Sequence, residues 1–179
     1  MAQGPIDAVT LRDSIMEGWP VPLLRAALGA QTVNAGFGAE GTQEVLWRLQ
    51  TINWRGQRPR YVLLLVGTND LRFPACAVFE GVSAVIHAIH GTFPGATIIV
   101  VSILPRGPNL RTKEQEINTI NQELEHAADL LGFEFLDAHD AFLCDHHTPC
   151  ALYLPGDLHL TPKGYDLLTH LLGDFLAHH

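Results

Sequence analysis

Four short clusters of polar residues carry the side chains in this sequence best suited to covalent chemistry. They are Asp13-Ser14, the loop Asn34-Ala35-Gly36-Phe37-Gly38-Ala39-Glu40, the tetrapeptide Gly67-Thr68-Asn69-Asp70, and Asp157-Leu158-His159-Leu160-Thr161. A serine hydroxyl is a weak nucleophile until a base within hydrogen-bond reach takes its proton. Imidazole suits that task because it titrates near neutrality. A carboxylate can hold the imidazole in the right tautomer, and N–H donors can stabilise the oxyanion that forms at an attacked carbonyl, typically by about 3 kcal/mol each. Brought together, Ser14, His159, Asp157 and the Asn69 amide would make acyl transfer from an ester feasible.

Strands alternating with helices would position these clusters. Ile6 to Leu11 reads as a strand, Pro22 to Leu28 as a helix, Gln31 to Asn34 as a strand and Thr42 to Thr51 as a helix. The apolar run Tyr61 to Val66 has the composition of a strand buried on both faces. A helix over Ala77 to Thr92, a strand over Ala96 to Ser102, a helix over Thr112 to Leu131 and a strand over Phe133 to Asp137 follow. Gly132 supplies a stop signal, and Thr161-Pro162 marks the start of the last helix. Five strand–helix alternations predict a three-layer α/β fold on a parallel sheet, as one domain over residues 1–179. In such sheets ligands bind at the carboxyl ends of the strands, where the polar clusters fall.

The four clusters, in this order, resemble the blocks of the GDSL/SGNH hydrolases. Val45-Leu46-Trp47-Arg48-Leu49 and Leu104-Pro105-Arg106-Gly107 are most similar to the branch that includes the catalytic subunits of platelet-activating-factor acetylhydrolase Ib. The resemblance implies a flavodoxin-like five-stranded sheet. It also implies an esterase acting on small acetyl-type esters through an acyl-serine, with Ser14 as nucleophile, His159 as base and Asp157 as the acid. Oxyanion donors would be Asn69 with backbone N–H groups at Ser14 and Ala39, and Gly38 as the fallback. No metal or organic cofactor is implied; a small-molecule ester is the expected partner, and members of the branch often pair into homodimers.

Three positions depart from the family pattern. Arg12 stands where the family has glycine; its side chain could fill the pocket or pair with an anionic part of the substrate. Ala39 replaces the oxyanion glycine, and its N–H could serve if φ stays negative. Gly156 occupies the position of the acid, three residues before His159, leaving Asp157 or a backbone carbonyl to orient the imidazole. The same departures motivate an alternative, a non-catalytic binding domain on this fold. Trp19 could wall the acyl pocket or be core, Asp13 and Asp70 brace turns, and His139 is the substitute base.

Composition excludes other classes. A formal charge of −8 without a basic cluster disfavours nucleic acid. The longest apolar stretches are short of the ~20 residues that cross a bilayer, and no secretory signal is visible at the N-terminus. Three cysteines, an odd number, predict no disulfide framework and a reduced, cytoplasmic setting. Cys144 to Cys150 has zinc-binding residue types without a second ligand cluster, and reads as a solvated loop. Gly36 to Gly41 matches a dinucleotide fingerprint but follows the second strand and lacks its distal acid, so nucleotide binding is disfavoured.

Overall fold

The computed structural model describes residues 5–35, 38–147 and 149–178, without the side chains of Arg12 and His146. Five strands, β1 (Ala8–Arg12), β2 (Thr32–Asn34), β3 (Tyr61–Leu65), β4 (Thr97–Val101) and β5 (Glu134–Leu136), form one sheet in the order β2-β1-β3-β4-β5. Every pairing is parallel, with Val9 opposite Val33 and Val62, and Val62 opposite Ile98. This is the flavodoxin-like order, and its topological switch lies between β1 and β3.

Six helices cover the sheet: α1 (Ser14–Glu17), α2 (Val21–Leu28), α3 (Thr42–Thr51), α4 (Ala75–Thr92), α5 (Glu114–Leu131) and α6 (Pro162–His178). Side chains alternate across a strand, so β3 feeds two cores. Val62 and Leu64 pack with Val45 of α3, Val82 and Ile86 of α4 and Ile120 of α5. Leu63 and Leu65 pack on the other face with Ile15 of α1, Leu24 of α2 and Leu168 of α6. Burial on both faces is why the strand reads as an unbroken apolar run rather than an alternating one.

Local signals set the helix ends. Gly132 closes α5 in the left-handed region at φ +70°, and the Thr161 hydroxyl accepts the Gly164 N–H at the start of α6. Among the described residues, α4 alone has the length and apolar composition of a membrane-crossing helix, which the run lengths of the sequence did not lead us to expect. Its apolar character has another cause here: Val78, Val82, Val85, Ile86 and Ile89 are buried in the core.

Candidate active site

Ser14 leaves the sheet at the carboxyl end of β1 and occupies the first position of the one-turn helix α1. Asp13 caps that turn, its Oδ1 accepting the Ile15 N–H at 2.9 Å, and its own N–H donates to Leu65 of β3 at 3.1 Å. Asp13 therefore locks the turn that carries Ser14 directly, a more specific role than bracing neighbouring loops. Its carboxyl is fully buried, and among the described residues Oδ2 has no hydrogen-bond partner. Burial pushes its pKa up to about 7, against the opposing pull of the Ile15 and Met16 N–H groups and of the Arg106 guanidinium.

His159 reaches Ser14 from a loop 145 residues away, with Nε2 and Ser14 Oγ 3.1 Å apart. Several backbone contacts hold the loop. The Leu154 N–H donates to the His159 carbonyl at 2.8 Å, Thr161 N–H to Leu152 O at 2.9 Å, and a short antiparallel bridge joins Tyr153 to Leu160. The Tyr153 hydroxyl donates to Pro105 O at 2.9 Å, which ties the loop to the segment after β4.

The structure brings Asp157 close in sequence to His159 without joining their side chains. The backbone bends there, with Gly156 at φ +101° and Asp157 itself at φ +50°. Asp157 uses its backbone to close the turn, donating to Leu154 O at 3.0 Å and accepting from Gly107 N–H at 2.7 Å. Burial pushes the Tyr153 phenol up in pKa, and the negative charge of Asp157 adds to that shift. Among the described residues, neither this carboxylate nor a backbone carbonyl bonds the second imidazole nitrogen of His159. A Ser–His pair is what the geometry delivers.

The side-chain amide of Asn69, in a 3₁₀ turn just past β3, donates to Glu40 O at 2.9 Å. A primary amide has two N–H groups, so one is left to donate elsewhere. Glu40 is itself buried and ion-paired to Arg48 of α3, and Asp70 accepts the Thr42 N–H at 2.9 Å at the start of α3. Desolvation raises the Asp70 pKa. The loop before α3 is thereby bonded to the loop after β3.

Gly38 lies beside Ser14, since a Cβ there would stand 3.9 Å from Ser14 Cβ. Ala39 has φ +62°, in the left-handed region, so the negative φ on which its N–H could serve as an oxyanion donor is not met. Gly38, the fallback donor, is the glycine of this loop that lies beside Ser14. Gly36 and Phe37 of the same loop, and the Arg12 side chain, lie outside the described residues.

Other candidates fall elsewhere. Trp19 is 1% exposed, donates to Thr169 Oγ1 at 2.9 Å and packs near Tyr165, so it is core between α1 and α6 rather than a pocket wall. His139 is buried after β5, with Nδ1 3.1 Å from Asp140, and does not meet Ser14. Cys144 and Cys150 form a disulfide, against the expectation of reduced thiols. A 3₁₀ turn over Cys144–His146 opens the short loop between them, and parity alone could not reveal the bridge; Cys76 is free. Among the described residues no group of His, Cys, Asp and Glu is arranged to hold a metal.

Two contributors had not been given roles from the sequence. Glu40 offers a carbonyl to Asn69, a contact with no side-chain pattern to announce it. Arg106 donates through Nη1 to Thr68 O at 2.8 Å and Thr68 Oγ1 at 3.0 Å, pinning the turn that carries Asn69. Its place in Leu104-Pro105-Arg106-Gly107 was the available sign.

The chain resembles known proteins over most of its length. The alpha1 subunits of platelet-activating factor acetylhydrolase IB from Pongo abelii and Homo sapiens are 38% and 36% identical to it, over 74% and 80% of this chain. The matched regions cover 58% and 63% of those proteins, so the chain spans about three-fifths of their length. The crystal structure of a GDSL-like lipase from Bacteroides thetaiotaomicron shares the fold with a TM-score of 0.76 at 19% identity, covering 96% of this chain and 87% of that one. The sequence profile of the GDSL-like Lipase/Acylhydrolase family matches residues 6–167. With β1, the Asn69 turn and the His159 loop all inside that match, the chain belongs to the GDSL-like lipase/acylhydrolase family.

Proposed function

We propose that this protein hydrolyses small carboxylic esters, with Ser14 as nucleophile and His159 as general base. The 3.1 Å separation of His159 Nε2 and Ser14 Oγ carries the reading, because a base must reach the proton it removes. Ser14 Oγ attacks the ester carbonyl while His159 takes its proton. The tetrahedral oxyanion is met by N–H donors from Asn69, Ser14 and Gly38. Collapse expels the alcohol, which takes the proton from His159 and leaves an acyl-serine. Water, deprotonated by the same imidazole, then attacks the acyl-serine, releasing the carboxylic acid and restoring Ser14. The relatives named as acetylhydrolases favour a short acyl group such as acetyl.

The test is hydrolysis of p-nitrophenyl acetate and labelling by a fluorophosphonate. Ser14→Ala is expected to abolish both, and His159→Ala to lower kcat/KM by at least about 10³-fold. Equal rates in wild type and Ser14→Ala, with no labelling of either, would sink the reading. That result would favour the alternative of a binding domain, which the missing contact between Asp157 and His159 keeps in contention.

A further inference from the structure

Beside the Asn69 turn lies a cavity of about 320 Å³ that the reaction above does not use. One wall is the segment after β3, with Thr68, Asn69 and Arg72; the other is the connection from β4 to α5, with Arg106, Thr112 and Lys113. Three cations line it and no Asp or Glu does, on a chain whose formal charge is −8. A concentration of one sign against the overall balance is the electrostatic footprint of a charged ligand.

The cationic groups are held in place. Arg106 spends Nη1 on Thr68, which orients its planar guanidinium. The Arg72 guanidinium rests 4.8 Å over the Phe73 ring. Lys113 bonds Glu116 at 2.6 Å and so shares its charge with that acid. Guanidinium groups fixed in this way suit oxyanions, which accept paired N–H bonds from the planar fork. Asn69 borders both this cavity and the loop bearing Gly38, so a group seated here adjoins the ester undergoing attack.

We infer that the Arg72–Arg106–Lys113 cavity binds an anionic oxygen group, phosphate or carboxylate, carried by the ester substrate. This rests on the reading of Ser14 as nucleophile for its catalytic consequence, though anion binding itself does not. The anion lowers KM for substrates that carry it, and the cavity thereby selects esters by charge.

Two measurements on the full chain test this. Aryl acetates of one shape are compared: methyl 4-acetoxybenzoate, 4-acetoxybenzoate and 4-acetoxyphenyl phosphate. In Arg72→Gln/Lys113→Gln, both of whose side chains are exposed, the ratio of kcat/KM for the charged esters to that for the neutral one should fall at least fivefold. The loss should come through KM for the charged esters. Arg58→Gln, remote from the cavity, should keep the wild-type ratio. Whichever charged ester loses more identifies phosphate or carboxylate as the better fit. Separately, calorimetry with phenyl phosphate on Ser14→Ala should show binding that the added double substitution weakens at least fivefold. Ester turnover with an unchanged ratio and no calorimetric binding would overturn the anion site. Calorimetric binding without turnover of any ester would instead sink the Ser14 reading and leave the site standing.

Discussion

Two aspartates near the reacting pair behave unlike their sequence neighbours would suggest. Asp157 sits two residues from His159, yet among the described residues its carboxylate makes no hydrogen bond to that imidazole. Removing the orienting acid of a Ser-His-Asp triad costs on the order of 10⁴ in kcat. We therefore expect Asp157→Asn to keep kcat/KM within about threefold of wild type, measured on p-nitrophenyl acetate beside His159→Ala. Asp13 is the opposite case, an acid buried under the nucleophile with its pKa raised to about 7. The folded chain keeps this proton across a range where the unfolded chain, near 3.8, has lost it. Its contribution to stability is thus full below 3.8 and is lost as pH rises to about 7. Denaturant titrations from pH 4 to 8 should show that decline in wild type, and a flatter profile in Asp13→Asn. Neither behaviour was legible from residue type: burial decides that of Asp13, and the left-handed backbone at Gly156 and Asp157 accompanies the missing bond from Asp157 to His159.

At the scale of elements the sequence was far more informative. Strand and helix periods, Gly132 and Thr161-Pro162 place all five strands and every long helix within a few residues. The short turn α1 escaped notice because four residues give no period, though Asp13 is a fitting cap for it. What periodicity could not convey is how tightly α6 presses on the His159 loop. A Cβ at Gly164 would collide with the Leu152 carbonyl and come within 3.0 Å of Leu160 Cβ. That carbonyl accepts the Thr161 N–H, so the backbone has little room to yield. Gly164→Ala should destabilise the protein by about 1–3 kcal/mol in chemical denaturation. It should also lower kcat more than it raises KM, since the displaced bridge supports the imidazole. A fall in stability alone would show that the loop re-seats His159.

For the whole molecule, the sheet order does most of the assembly. Because β1 and β3 are neighbours at the switch point, Ser14 and Asn69 emerge side by side from strands far apart in sequence. His159 comes from outside the sheet, on a segment whose origin is clamped by Cys144–Cys150. Loss of a bridge closing so short a loop typically costs about 2 kcal/mol. Cys144→Ser/Cys150→Ser should lower thermal stability accordingly and reduce ester turnover more than Cys76→Ser does; equal turnover in both variants would separate the clamp from the imidazole. The distribution of the reacting pair along the chain has a further result for biosynthesis. As the polypeptide leaves the ribosome, all five strands are available before the imidazole appears. A nascent chain can thus build its sheet before Ser14 meets the imidazole that we propose as its proton acceptor.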